Sequence, residues 1–332
     1  MLYSRRRLLR LVALAGAIPL IPTAPSLAAE GRLETTGVRL VKFPGVCLAP
    51  QYVAEGLLRA EGFTDVRYVE LPSSAEFAGI VAEGKADFTM DFAARLVLTI
   101  DEGGPISVLA GVHVGCFELF GGSHIRTISD LKGKSVGVHL LGRPHAFLGA
   151  AAAHIGLDPV HDIHWVTEAE PDPIELFAAG KIDAFLGTPP EPQQLRARKI
   201  GHVVASSIID PPWSQYFCCM VAGNRDYVRR YPVASKRVLR AILKAADFCA
   251  NEPAKAARQI AEFGFPDQYE HVLQTLREIP YDRWRDYDPE DTLRFYALRL
   301  HEAGLVKSGP KKILADGTDW RFLNELKREL KA

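Results

Sequence analysis

The chain has 332 residues, 48% of them hydrophobic, 24% charged and 9% aromatic, which argues against a disordered chain, a collagen-like repeat or a coiled coil and suits two domains of common size. Basic and acidic residues number 40 each, but residues 1–29 hold four arginines and no acid, so the remainder carries 36 basic (40 less four) against 40 acidic, a net of −4. A mildly acidic body lacks the electrostatic footprint of a nucleic-acid binder.

Residues 1–29 read as a removable export signal. Arg5, Arg6, Arg7 and Arg10 form its positive region, Leu11 to Ile21 its apolar run, and Ser26-Leu27-Ala28-Ala29 the small residues for cleavage. The run is shorter than the ~20 residues that span a bilayer. Ser4-Arg5-Arg6-Arg7-Leu8-Leu9-Arg10 resembles the twin-arginine export motif, with Leu8 in the aromatic position and Arg10 in the lysine position. The expectation is a soluble protein outside the cytoplasm, with no lipid anchor because no cysteine sits at the cleavage point.

Beyond residue 36 strands and helices alternate. Strands are predicted over 38–43, 66–71, 87–90 and 106–112, with helices over 50–60, from Ser74 to Glu83, and ending near Gly103-Gly104. After Gly121-Gly122-Ser123 the pattern restarts, with strands over 135–139, 163–167, 183–187 and 202–206 and helices over 145–155, 173–179 and 191–199. The apolar stretch 215–222 returns the chain to the first unit. From Asn224 the chain reads as helical, over 233–249, 253–263, 267–279, 289–303 and 320–330. Asp288 caps the fourth of these, with Pro289 in its first turn. The β-α-β order argues for two mostly parallel sheets covered by helices.

Several catalytic patterns fail. Gly133-Lys134-Ser135 lacks the glycine a phosphate loop needs at position 128, which is Ile128. No G-x-S-x-G elbow, H-E-x-x-H or post-strand G-x-G-x-x-G occurs. Cys47, Cys116, Cys218, Cys219 and Cys249 form no C-x-x-C and no zinc-spaced cluster, so no metal and no cofactor is expected. Cys218, Cys219 and Cys249 read as small buried hydrophobes, the first two pointing to opposite faces of a strand. Cys47 and Cys116 lie near strand ends.

Four segments, in order, carry a resemblance: Ala49-Pro50-Gln51-Tyr52-Val53-Ala54-Glu55-Gly56; Glu83-Gly84-Lys85-Ala86-Asp87-Phe88; Ile128-Ser129-Asp130-Leu131-Lys132-Gly133-Lys134-Ser135-Val136-Gly137-Val138; and Ala178-Ala179-Gly180-Lys181-Ile182-Asp183-Ala184-Phe185. Together, behind an export signal, the chain resembles the solute-binding proteins of bacterial ABC importers, in the branch for nitrate, taurine, alkanesulfonates and thiamine-pyrimidine precursors. The last two segments read as turns and strands of scaffold, their lysines and aspartates solvated. The resemblance implies an α/β fold of the two-lobed type II periplasmic binding class: each lobe a mostly parallel sheet flanked by helices, with a helical C-terminal region. Lobe one would be 36–119 plus 222–332 and lobe two 120–221, with crossings at Glu118–Gly121 and Phe217–Val221. It further implies a monomeric periplasmic binder, not an enzyme, that delivers a small-molecule ligand to an ABC permease and its ATPase and binds no nucleic acid.

Ligands of open α/β sheets sit beyond the carboxyl ends of the strands. The loops there offer Phe43, Cys47, Asp91, Phe92, His113, Phe117, Arg143, His145, Glu191, Trp213 and Tyr216 as candidates. Arg143, at the start of a predicted helix, suits an anion, and His145 could add a donor. Asp91 and Glu191 are ligand contacts or helix caps. The aromatics could form a wall. Together they suggest a small organic anion (sulfonate, carboxylate or pyrimidine-like) rather than bare nitrate. Two alternatives stand beside this: a sensor's binding module, and an enzyme resembling the eukaryotic thiamine-pyrimidine synthases, which use a cysteine-rich iron site and a histidine; their contiguous cysteine cluster is absent here.

Overall fold

The computed structural model describes residues 31–43, 45–71, 77–139, 146–167, 171–264 and 269–330. The expected signal at 1–29, the cap at Ser74, and Arg143 and His145 lie outside the described residues. No helix among the described residues is long and apolar enough to cross a membrane.

Ten strands build two five-stranded sheets. In chain order they are β1 (Gly37–Lys42), β2 (Asp65–Glu70), β3 (Phe88–Phe92), β4 (Ile106–Val114), β5 (Glu118–Gly121), β6 (Lys134–Gly137), β7 (Ile163–Val166), β8 (Ala184–Gly187), β9 (His202–Ser206) and β10 (Phe217–Asn224). The first sheet runs β2-β1-β3-β10-β4 and the second β7-β6-β8-β5-β9. Each is parallel except for one inserted strand: β10 pairs antiparallel with β3 and β4, and β5 with β8 and β9. Strands β3, β4, β5 and β8 are buried along their whole length, as apolar runs covered on both faces should be.

The segments that carried the resemblance are the pins of this scaffold. Strands β1 and β3 touch at a single register pair, Leu40 with Phe88. Gln51 fills the gap: its Nε2 donates to Val41 O at 2.6 Å and its Oε1 accepts from Met90 N at 2.6 Å. Asp87 accepts from the backbone N of Arg39 at 2.7 Å and from both ends of its guanidinium. Asp183 does the same in the second sheet, taking Ser135 N at 2.8 Å and its hydroxyl at 2.7 Å. Asp183, expected as a solvated turn residue, is half-buried, and Asp87 is buried, because each serves a backbone N–H that the strand ladder leaves without a partner.

The crossings differ from expectation. Glu118–Gly121 is β5, wholly inside the second sheet, and Phe217–Val221 belongs to β10, wholly inside the first. The chain passes between the sheets at 115–117 and returns at 207–216. Ser207 fastens the two passages. Its hydroxyl accepts from Cys116 N at 3.0 Å and Phe117 N at 2.9 Å, and its own N–H donates to Phe117 O at 2.9 Å. Gly115, at φ +58°, lets them approach so closely that a Cβ there would lie 2.4 Å from Ile208 Cα.

The C-terminal helices form the outer wall of the first lobe: Arg225–Arg230, Pro232–Asn251, Pro253–Glu262, Tyr269–Glu278, Pro289–Glu302, Pro310–Gly317 and Arg321–Glu329. Asp288 caps the helix at Pro289 as its sequence suggests, accepting from Glu290 N at 2.9 Å. Ser207→Ala removes the acceptor of two buried N–H groups, each costing about 1–3 kcal/mol when left unpaired. Urea unfolding of this variant should show a lower midpoint by that order, and Gly115→Ala a further loss from its left-handed backbone.

Candidate ligand-binding site

The carboxyl ends of the strands face one another across a cavity of about 290 Å³, at the small end of ligand sites. The first lobe supplies an apolar wall. Phe43 follows β1, and its ring lies 4.7 Å from Phe77; Phe92 ends β3 and meets Phe117 at 4.9 Å. All four line the cavity, with Gly45, Leu48 and the thiols of Cys47, Cys116 and Cys219. Arg95, two residues into the helix Ala93–Asp101, is the cation of this wall. Its guanidinium sits 4.6 Å over the Phe77 ring and holds Asp91 at 2.5 Å through Nη2 and 2.8 Å through Nε.

The second lobe supplies a polar wall, with Ile174, Thr188, Pro189, Pro190 and Gln194 around a three-residue charge group. His139, two residues past the end of β6, places Nε2 2.8 Å from Asp172 Oδ1 and Nδ1 against Glu191 Oε1. Each carboxylate is fixed in turn. Asp172 caps the helix Pro173–Ala178 by accepting from Ile174 N at 2.9 Å. Glu191, the first residue of the helix Glu191–Arg198, accepts from Thr188 N at 2.7 Å. Burial opposes the charge on His139, but the two carboxylates outweigh it and hold its pKa at about 9. The imidazolium is therefore the resting form at neutral pH.

Of the residues expected at the site, Phe43, Cys47, Phe92, Phe117 and Glu191 line the cavity, and four others do not. Asp91 lies within β3, which runs two residues past the expected end, and so turns inward; it is fully buried and accepts from Phe92 N at 2.6 Å and Ala78 N at 3.3 Å besides holding Arg95. His113 lies within β4, also two residues longer than expected. It packs on Tyr281 at 5.1 Å, donates from Nδ1 toward Gly115 O at 3.0 Å, and burial drives its pKa down to about 4. Trp213 and Tyr216 sit on the return passage behind the cavity, each against Phe295, at 5.5 and 3.9 Å. An aromatic row links them to the wall, since Phe147 touches both Trp213 and Phe117.

Arg95, Phe77, His139 and Asp172 were not among the expected residues. Arg95 was within reach of sequence reasoning, since an acid and an arginine at i and i+4 on a helix start predict an ion pair. His139 was hidden by the shortness of β6, which ends at Gly137, two residues before the expected strand end.

Lobe-to-lobe contacts flank the cavity. Glu278 of the first lobe accepts from Gln193 Nε2 at 2.8 Å and Arg196 Nη2 at 2.6 Å, both on the helix Glu191–Arg198. On the other side Arg299 Nη1 lies 3.2 Å from His154 Nδ1.

The raised pKa of His139 has a fixed sign. Its two carboxylate contacts stabilise the fold fully below about pH 6.5 and lose that contribution as pH rises through about 9. The stability gap between the wild type and His139→Gln, read from urea unfolding at pH 6, 7.5 and 9.5, should therefore shrink across that window.

Comparisons with known proteins place this geometry. The profile of the family described as NMT1/THI5 like matches residues 48–256. The nitrate import ATP-binding protein NrtC of Synechocystis sp. is 24% identical over 239 residues, covering 65% of this chain and 35% of that protein, so the chain spans about a third of that relative's length. Among solved structures, the periplasmic nitrate-binding protein NrtA from Synechocystis PCC 6803 aligns with a TM-score of 0.73 at 14% identity, over 91% of this chain and 90% of that one. The alkanesulfonate-binding protein SsuA from Xanthomonas axonopodis pv. citri, bound to MOPS, aligns at 0.70 and 16% identity, over 87% and 100%. These two share the two-lobed periplasmic binding fold with this chain. The match over residues 48–256, most of both sheets, establishes that the chain belongs to the NMT1/THI5-like family.

Proposed function

We propose that this protein is the periplasmic solute-binding component of an ABC importer, and that it captures a small, flat, pyrimidine-like ring between its lobes. The observation that carries this reading is the pairing of an aromatic wall, Phe43, Phe77, Phe92 and Phe117, with the His139–Asp172–Glu191 group across one cavity. Flat rings gain from both, through stacking and through hydrogen bonds at their edges. The neighbours that bind nitrate or alkanesulfonate and the relative named for nitrate import support the transport role.

Charge decides among the solute classes that the sequence suggests. Among the described lining residues both cations are already matched: Arg95 by Asp91, and His139 by two carboxylates. That balance, one negative in excess, favours a neutral or weakly basic heterocycle over a sulfonate. The catalytic alternative is disfavoured by chemistry. The enzymes it would resemble hold their iron on a contiguous cysteine cluster, and this sequence has no such cluster.

A thermal-shift screen of the chain from Glu30, with pyrimidines, aromatic and aliphatic carboxylates, sulfonates, nitrate and amino acids, tests this. At 100 times its dissociation constant a ligand adds about 2.7 kcal/mol, or about 4 °C for a chain of this length. Pyrimidine-like rings should shift the melt and return unchanged from the protein. A response confined to sulfonates or nitrate would overturn the assigned solute, and chemical turnover of the bound ring would overturn the transport role. Glu278→Ala, which frees Gln193 and Arg196 from the facing lobe, should weaken the affinity several-fold, chiefly through faster dissociation in stopped-flow.

A further inference from the structure

Cys47, Cys116 and Cys219 are 69 and 103 residues apart in sequence, yet their sulfurs all lie within 4.8 Å of one another. Each comes from a different element: the turn Val46–Leu48, the passage 115–117 and strand β10. Each is held in place. Tyr281 Oη donates to Cys47 O at 3.2 Å, Ser207 accepts from Cys116 N, and Cys219 sits in the middle of a sheet, between β3 and β4. The β4–β10 ladder changes register on both sides of Cys219. Cys218, expected on the opposite face from Cys219, also approaches Cys116, with its sulfur 3.0 Å away. All three members of the trio line the ligand cavity, so the group opens to solvent through the cleft although two of the three are buried.

We propose that Cys47, Cys116 and Cys219 form a site for a soft, three-coordinate thiophilic cation, for which Cu(I) is the probe. Three sulfurs with no imidazole or carboxylate in the set match Cu(I), which soft thiolates select; Zn(II) in a structural site takes four ligands. As each S–Cu bond forms, the thiol's proton leaves to solvent. The set is built by long-range packing rather than by a local motif. The ion would be held by the first lobe and the passage 115–117, with no ligand from the second sheet.

The test is an anaerobic titration of the reduced chain from Glu30 with Cu(I) in competition with a chromophoric chelator, alongside a thiol count. One equivalent should be retained, with a sulfur-to-copper charge-transfer band in the ultraviolet. Cys47→Ser, Cys116→Ser and Cys219→Ser should each lose at least 100-fold in affinity while their melts show a folded protein. Cys218→Ser, outside the trio, should keep it. Retention of Cu(I) by the trio variants, equal loss in Cys218→Ser, or no binding by the fully reduced protein would each overturn the site. The solute screen reads a separate property: Cu(I) binding with a flat screen upholds the metal site and sinks the solute assignment, and the reverse result does the opposite.

Discussion

Two backbones pass between the sheets side by side, and the hydroxyl of Ser207 is where they are joined. A buried serine that takes two N–H groups satisfies the peptides of Cys116 and Phe117 where the passages meet. Gly115 makes the approach possible. The consequence reaches the site, because the same passage carries Cys116 and Phe117 into the cavity floor. The floor is thus set by the element about which the lobes would turn, while the walls belong to the lobes. A hinge that absorbs its dihedral change in a few residues can keep that floor intact as the walls close.

Each sheet repeats one plan, and the repetition explains why the scaffold was legible. Strand β1 corresponds to β6, β2 to β7, β3 to β8, and the inserted β10 to β5. Asp87 reaches back 48 residues to Arg39 N, and Asp183 reaches back 48 residues to Ser135 N. The two short segments Gly84-Lys85-Ala86-Asp87 and Gly180-Lys181-Ile182-Asp183 therefore mark one structural joint used twice: a helix end, a left-handed glycine and a carboxylate just before the next strand. Alternating apolar runs and glycine stops expose such joints locally. What they could not expose was that the carboxylates are sequestered, since the N–H they serve lies on another strand.

The site was less legible, for a physical reason that recurs. Position after a strand marks a candidate residue, and a two-residue difference in where the strand ends moves a side chain from the cavity into the core. That happened to Asp91 and His113, whose strands run longer, and in reverse to His139, whose strand is shorter. Phe43, Phe92 and Phe117 tolerated the same uncertainty because a large ring reaches across the difference. Trp213 and Tyr216 failed otherwise: the return passage carries them behind Phe147 and onto Phe295, a helix whose position no local pattern reveals. The cysteine trio was invisible for the same cause, its members joined only by the pairing of sheet and passage.

The energetics of closure follow from how little the lobes hold each other. Glu278 with Arg196, and Arg299 with His154, are partly exposed polar contacts, and such pairs are worth about 0–1 kcal/mol. A ring that buries on the order of 100 Å² of apolar surface against the phenylalanine wall gains about 2.5 kcal/mol. The solute's share therefore outweighs each latch contact, and the part of it gained only on closure shifts the open–closed balance tenfold for every 1.4 kcal/mol. The internal pairing of Arg95 and of His139 serves the same end. Both cations are neutralised before any solute arrives, so the lobes neither attract nor repel each other strongly across the cavity. On the proposed function, closure would then depend on what lies between them.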